Sequence, residues 1–263
     1  MPTASQSRRV GLARALSKLG YCSRTQGFTL IRSGRVRLNG SVTRNPEAPV
    51  YLQRDRIEVD RVPVRAAEML YLMMNKPRGL VTTAADEKGR DTVYSLLPTG
   101  LPWVGPVGRL DKASEGLLLL TNDSEWGARI LAPETHLRKT YHVQVQAHLD
   151  EALIHRLIQG VRGQSHWLAA KSAARLREGA KNSWIEVVLD EGKNRQIRRM
   201  LEALGIEVLR LVRVAIGDLK LDDLPKGAVR SLTPDEKQLL DRSLARHSSL
   251  RLPEHARNSI GQP

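Results

Sequence analysis

One aspartate lies in a glycine-rich loop and is the first candidate for chemistry in this sequence of 263 residues. Asp111 ends the segment Gly-Pro-Val-Gly-Arg-Leu-Asp, and Arg109 and Lys112 lie beside it. The apolar run at 117–120 follows, and the turn residues around it predict a short buried strand. A cation can hold such a carboxylate ionised while the chain shields it from water. Asp111 is therefore a candidate catalytic carboxylate, although an aspartate that only caps a turn gives the same pattern. Four other acidic residues compete for the role: Asp91, Asp123, Asp218 and Glu191.

A group of arginines is the second candidate. The segment Glu-Gly-Lys-Asn at 191–194 predicts a turn, and a helix is predicted from Arg195 to its end at Gly205. Arg195 and Arg199 are spaced to share one helix face, and Arg198 precedes Arg199 by one residue. A basic helix start can bind phosphate groups. A basic helix face that is simply solvated is the alternative.

Alternation of apolar and polar residues predicts the strands that would position these side chains. Tyr141, Val143 and Val145 alternate with polar residues, and the segment 184–190 repeats the pattern of a half-buried strand. A further strand is predicted at 70–75. The segment Lys-Pro-Arg-Gly at 76–79 would end that strand, because proline cannot donate a hydrogen bond and glycine permits a sharp turn. The segment at about 150–182 is predicted to be irregular.

Composition limits the class of protein. Apolar residues make up 41% and charged residues 27% of the sequence, so wholesale disorder is not expected. No apolar run approaches the roughly 20 residues of a membrane span, and the first ten residues lack the apolar region of a secretory signal. A single cysteine, Cys22, excludes an internal disulfide and a cysteine-rich metal site. We expect a cytoplasmic protein whose formal charge of +14 favours a polyanionic partner.

The positive charge is concentrated at the N-terminus. Residues 1–65 hold 13 Lys and Arg against 4 Asp and Glu. Apolar spacing predicts a helix that ends at Gly20, and Ser23 with Gln26 predicts a capping box at the start of a second helix. Asn39-Gly40 predicts a hairpin turn, because this pair adopts the positive φ angles of a type I′ turn. A folded basic module is therefore expected.

The segment LARALSKLGYCSRTQGFTLIRSGRVRLNG resembles the S4 RNA-binding domain, and the resemblance extends over about residues 8–62. It implies binding of structured RNA, in which helix arginines and backbone amides contact phosphates without reading the base sequence. In this module the expected RNA contacts are Arg14, Lys18, Arg24, Arg32, Arg35 and Arg37.

Five stretches of the remaining chain resemble the Rsu-type family of ribosomal RNA pseudouridine synthases. They occur in that family's order: NKPRGLVTT (75–83), GRLDKASEGLLLLTND (108–123), KTYHV (139–143), EGKNRQIRRMLEALG (191–205) and VLRLVRVAIGDLKLDDLPKGAVRSL (208–232). The resemblance implies isomerisation of uridine to pseudouridine in RNA, without cofactor, metal or energy source.

The resemblance also implies a role for each candidate. Asp111 would attack the ribose C1′ or assist removal of a proton from the sugar, and an ordinary aspartate is already ionised at neutral pH. Tyr141 would stack on the target base, and Arg198 would pair with Asp111. Further RNA contacts are expected from Lys76, Arg109 and Arg195, with Arg109 as a wedge that holds the gap left by the flipped uridine.

We therefore predict an α+β fold. An S4-like domain (8–62) precedes a pseudouridine synthase catalytic domain (69–243) with a mixed, largely antiparallel sheet and flanking helices, and a disordered tail follows (244–263). The expected partner is ribosomal RNA or a ribosome assembly intermediate, large-subunit RNA is slightly favoured, and a monomer is expected. One alternative is a non-catalytic ribosome assembly factor. The other is a glycosidase or nuclease with paired carboxylates, which a single aspartate flanked by cations does not favour.

Overall fold

The computed structural model describes residues 9–84, 86–163 and 166–248. Within these ranges, no helix combines the length and the apolar character needed to cross a bilayer. The α-helices in the same ranges are α1 Leu12–Lys18, α2 Arg24–Arg32, α3 Ser124–Leu131, α4 Glu151–Gln159, α5 Gln196–Ala203 and α6 Pro234–Ser248. Two short 3₁₀ helices span Val93–Leu96 and Pro133–Thr135.

The strands fall into two groups along the chain. The N-terminal group is β1 Val10–Gly11, β2 Val36–Leu38, β3 Ser41–Val42, β4 Pro49–Val50, β5 Ile57–Val59 and β6 Val62–Pro63. The second group is β7 Tyr71–Lys76, β8 Gly105–Val107, β9 Glu115–Thr121, β10 Lys139–Val145, β11 Val161–Arg162, β12 Trp167–Leu168, β13 Ser172–Glu178, β14 Ser183–Leu189, β15 Val208–Ile216, β16 Leu219–Lys220 and β17 Val229–Ser231.

Local sequence signals build the N-terminal unit as expected. The Ser23 hydroxyl accepts a hydrogen bond from the Gln26 backbone amide (3.1 Å), and the Gln26 side chain accepts one from the Ser23 amide (3.0 Å), so the capping box is confirmed. Asn39 and Gly40 have φ angles of 52° and 86°, as a type I′ turn requires. The resulting sheet has the strand order β3-β2-β5-β6 and packs with α1 and α2 around a core that includes Ile31.

The second unit is built on one large sheet. Its strand order is β13-β14-β10-β15-β9-β7-β17, with β8 also paired to β9 and β16 to β15. The β9–β15 pair is parallel, and the other pairs are antiparallel. The predicted α+β fold with a mixed, largely antiparallel sheet is confirmed.

Helices cover different halves of the two sheet faces. The first core cluster joins α4 and α5 to the β10–β14–β15 half, for example through Leu157 and Met200. The second cluster joins α3 and α6 to the other half on the opposite face. A third cluster contains Leu118, and Tyr141 contacts both the third and the first cluster. The first and third clusters therefore meet at Tyr141, on one face of the sheet.

The expectation of irregular structure at 150–182 is wrong. This segment contains α4 and the strands β11, β12 and β13. The Asp150 side chain caps α4 by accepting a hydrogen bond from the Leu153 amide (2.8 Å), and Ile154 and Leu157 bury its apolar face. At the end of the chain, α6 reaches Ser248, and residues 249–263 of the predicted tail lie outside the described residues.

Candidate active site

Backbone contacts fix the loop that carries Asp111, which connects β8 to β9. The Thr82 hydroxyl donates to the Leu110 carbonyl (2.8 Å), and the Gly79 amide donates to the Lys112 carbonyl (2.8 Å). The Ser114 amide closes a turn onto the carbonyl of Asp111 itself (2.9 Å). The loop is therefore held from both sides while the Asp111 carboxylate stays partly open to solvent.

Lys76 lies beneath this loop and is completely buried. Its ammonium group donates to the carbonyls of Pro77 (3.0 Å), Asp111 (3.1 Å) and Ser114 (2.8 Å). Burial lowers the pKa of Lys76 to about 8, although the charges of Asp111 and Glu115 act in the opposite direction. The predicted contact of Lys76 with RNA is wrong, because a side chain without solvent exposure cannot reach a phosphate. Lys76 instead positions the Asp111 loop.

Two arginines of the 195–199 segment approach Asp111 in different ways. Arg195 places Nη1 3.7 Å from Asp111 Oδ2. Arg198 is partly buried and donates through Nη2 to the Ala113 carbonyl (3.1 Å) in the same loop. Burial, followed by the charge of Arg195, lowers the pKa of Arg198, and the charge of Asp111 opposes this. The expected direct pair between Arg198 and Asp111 is thus replaced by a pair with Arg195, because Arg195 stands before the first turn of α5 with φ of 49°.

Tyr141 occupies the middle of β10, opposite Val187 on one side and Arg213 on the other. It is half-buried and packs against the third cluster, which includes Leu110, the neighbour of Asp111. The structure therefore brings the loop of Asp111 and the ring of Tyr141 to the same junction between two core clusters.

Further cations near this junction are ones that the sequence analysis missed. Arg78 is exposed, contacts the Leu209 carbonyl (3.4 Å), and its charge also acts to lower the pKa of Arg198. Burial and then the charge of Arg213 lower the pKa of Lys139 to about 8. Arg78 and Lys139 both lie inside stretches that carry the family resemblance. Those stretches were the signal in the sequence that could have identified them as candidate site residues.

A buried acidic residue and a glycine fix the strand that follows the loop. Glu115 is buried and accepts hydrogen bonds from Arg210 (2.9 and 3.0 Å) and an ion pair from Lys226 (2.7 Å). Burial alone raises the pKa of Glu115, but these partners hold it below its ordinary value. Gly116 has φ of 103°, and a Cβ at that position would lie 2.2 Å from the Arg213 carbonyl oxygen. Only glycine permits this close pairing of β9 with β15.

The predicted RNA-binding residues of the N-terminal unit divide into two groups. Lys18 is 16% exposed and forms an ion pair with Glu125 of α3, which joins the two units; its contact with RNA stays a prediction. Arg37 is partly buried and contacts the Gly40 carbonyl (3.4 Å). The other predicted RNA-binding residues of this unit are exposed at the surface: Arg14, Arg24, Arg32 and Arg35. Arg109, on the Asp111 loop of the second unit, is exposed as well.

A metal centre is not evident in this region. Among residues 9–84, 86–163 and 166–248, no group of three or more His, Cys, Asp and Glu could hold a metal ion. The chemistry available at the site is that of a carboxylate anion, surrounding guanidinium groups and an aromatic ring.

Comparisons with known proteins agree on one family. Residues 70–203 match RNA pseudouridylate synthase, and residues 10–51 match the S4 domain. The ribosomal large subunit pseudouridine synthase B of Bacillus subtilis (strain 168) is 37% identical over 238 residues, which cover 90% of this chain and 97% of that protein. An uncharacterized RNA pseudouridine synthase of Aquifex aeolicus (strain VF5) is 36% identical over 86% of this chain and 92% of that protein.

A solved structure supports the same assignment. A crystal structure of a pseudouridylate synthase is similar with a TM-score of 0.61 and 29% identity, and the match covers 88% of this chain and 99% of that one. Residues 70–203, which match the RNA pseudouridylate synthase family, contain the Asp111 loop, Tyr141, Arg195 and Arg198. With an S4 domain at its N-terminus, the chain belongs to the RNA pseudouridine synthase family.

Proposed function

We propose that this protein isomerises one specific uridine of ribosomal RNA to pseudouridine, with Asp111 as the nucleophile. The observation that carries the proposal is the Asp111 loop, in which an open carboxylate is paired with Arg195 at 3.7 Å and the backbone is anchored by Lys76 and Thr82. The name of the Bacillus relative supports large-subunit RNA as the substrate.

The reaction needs no oxidant, reductant or energy source, because its product is an isomer of its substrate. The Asp111 carboxylate attacks the ribose C1′ as the C1′–N1 bond breaks, and the bonding electrons leave with the uracil. The freed uracil rotates, and its C5 attacks C1′ and displaces the carboxylate. The proton on C5 is then lost, and N1 is protonated. Asp111 returns to its ionised form at the end.

The side chains around Asp111 have different roles in positioning the carboxylate, its loop and the uracil. Arg195 fixes the orientation of the carboxylate through a charge-assisted contact. Arg198 holds the loop through the Ala113 carbonyl and adds positive charge where the leaving uracil is electron-rich. Tyr141 supplies the ring on which the extruded uracil stacks while it rotates.

RNA binding provides the free energy that base extrusion costs. Removing a uridine from its stack costs on the order of a few kcal/mol. The exposed arginines of the S4 domain can offset this cost through phosphate contacts, and Arg109 fills the gap that the uridine leaves. The partner is ribosomal RNA or an assembly intermediate, and the enzyme acts as a cytoplasmic monomer without a cofactor.

A tritium-release assay tests this proposal. Purified protein is incubated with large- and small-subunit ribosomal RNA transcripts that contain uridine labelled with tritium at C5, because formation of the C5–C1′ bond releases that tritium. The wild type should release the label of about one uridine per large-subunit transcript, and Asp111→Asn should release none. Equal release by both proteins would refute the role of Asp111. No release by the wild type from either RNA would favour the non-catalytic assembly factor.

A further inference from the structure

A tryptophan projects into solvent from the short hairpin formed by β11 and β12. Trp167 is 60% exposed, whereas its neighbour Leu168 is completely buried in the first core cluster. Side chains alternate along a strand, so burial of Leu168 directs Trp167 outward. An exposed tryptophan costs solubility without adding to the core, and the proposed mechanism does not use it.

The ring of Trp167 is held in place. Its Nε1 donates to the Gln159 carbonyl (3.3 Å). The ring also lies against the backbone of Gly160, where a Cβ would be 2.2 Å from Nε1. The hairpin thus presents a fixed aromatic surface, which loses little conformational entropy when a ligand stacks on it.

The hairpin adjoins the segment that contacts Asp111. Lys193 donates to the Trp167 carbonyl (3.4 Å), and the Gln196 side chain donates to the Ala169 carbonyl (3.0 Å). Between these two residues along the chain lies Arg195, whose guanidinium pairs with Asp111. The hairpin that carries Trp167 therefore lies beside the segment that reaches Asp111.

Basic residues lie on and beside the hairpin that carries Trp167. Arg162 is the direct cross-strand partner of Trp167 and is also exposed, so the two side chains lie on the same face of the hairpin. Lys193, which donates to the Trp167 carbonyl, is also paired with Glu191 (2.9 Å). A Cβ at Gly163, the residue after Arg162, would lie 3.3 Å from a guanidinium nitrogen of Arg199. An aromatic ring with adjacent cations is the arrangement by which proteins bind single-stranded RNA, through base stacking and phosphate contacts.

We propose that Trp167 is a stacking platform for an unpaired nucleobase of the substrate RNA, next to the target uridine, and that Arg162 contacts the adjacent phosphate. This subsite rests on the proposed function, since it binds the same RNA. It would give the enzyme a preference for a target uridine in a loop with at least one splayed neighbour.

Binding measurements in the Asp111→Asn background test the subsite independently of turnover. The probe is the ribosomal RNA fragment that contains the modified uridine, and the variants are Trp167→Leu, Trp167→Phe and Arg162→Gln. Leucine keeps apolar cover over Gly160 but has no π-face, so Kd should rise about tenfold, while phenylalanine should keep Kd within about threefold. Arg162→Gln should reduce the slope of log Kd against log salt by about 0.7, and Trp167→Leu should leave that slope unchanged.

Trp184 provides the matched control. It alternates along β14 with Ile185 of the first cluster, so it lies on the opposite sheet face, and Arg177 and Arg210 contact its ring at 5.0 and 5.6 Å. Trp184→Leu should not change Kd. The subsite is refuted if adding Trp167→Leu to Asp111→Asn leaves Kd unchanged, or if adding Trp184→Leu weakens binding equally. If the wild type modifies the RNA and Trp167→Leu does not change Kd, the subsite alone is refuted. If the wild type modifies no ribosomal RNA, the proposed function is refuted.

Discussion

Lys76 gives the sharpest test of how the Asp111 loop is held, because its charge is buried without an acidic side chain in direct contact. The lowered pKa means that folding disfavours the ammonium form, despite the three carbonyls that accept its hydrogen bonds. At about 1.4 kcal/mol for each unit of pKa, a fall from 10.5 to about 8 corresponds to about 3 kcal/mol. Between these two values the unfolded chain binds a proton at Lys76 and the folded chain does not.

The stability of the wild type should therefore rise with pH relative to Lys76→Met. From pH 7 to pH 10 the difference between their free energies of unfolding should shift in favour of the wild type by about 2.5 kcal/mol. Urea denaturation of both proteins at pH 7, 8, 9 and 10 measures this difference, and other titrating groups, such as Lys139, cancel because both proteins contain them. A difference that stays constant with pH, or moves in the opposite direction, would refute the lowered pKa of Lys76 and the cost of burying its charge.

Two further predictions concern the contacts around the site. Arg195→Ala removes a half-exposed ion pair with Asp111, so kcat/KM should fall only about fivefold. Arg198→Ala removes a partly buried donor from the loop and should lower kcat/KM about 100-fold together with Tm. Single-turnover kinetics and thermal melts of the two variants separate these effects, and a reversed order would contradict the geometry. Gly116→Ala should lower Tm by about 10 °C, because the new Cβ collides with the backbone of β15. Gly205→Ala is the control, since Gly205 also has positive φ but no heavy atom near the new Cβ; equal losses in both would mean that φ strain, and not the collision, is responsible.

Local signals in the sequence predicted the local structure well. The capping box at Ser23, the type I′ turn at Asn39-Gly40 and the alternating strands at 139–145 and 183–189 depend on residues close together in the chain. Local signals for the helix α4 are also present in the sequence. Asp150 caps its start, Gly160 ends it, and Ile154 and Leu157 form its apolar face. Its prediction as irregular structure was an error of interpretation.

Predictions that depend on tertiary packing were less successful. Lys76 is the last residue of β7, which lies between β9 and β17 in the sheet, and its side chain is buried. Nothing in the composition of β7 distinguishes an exposed lysine from a buried one. Which arginine faces Asp111 depends on the rotation of α5 and on the positive φ of Arg195, and neither is visible in residue spacing. The ion pair of Lys18 joins residues 107 positions apart, so only the assembled fold could identify it.

The most direct test of the central claim is a map of pseudouridines in total ribosomal RNA by carbodiimide labelling and primer extension. The cells compared carry the intact gene, a deletion, and the deletion complemented with Asp111→Asn. One stop should disappear in the deletion strain and stay absent with Asp111→Asn, while the intact gene restores it, and the position of that stop identifies the modified uridine. If every stop survives the deletion, the protein does not modify ribosomal RNA and the proposed function fails.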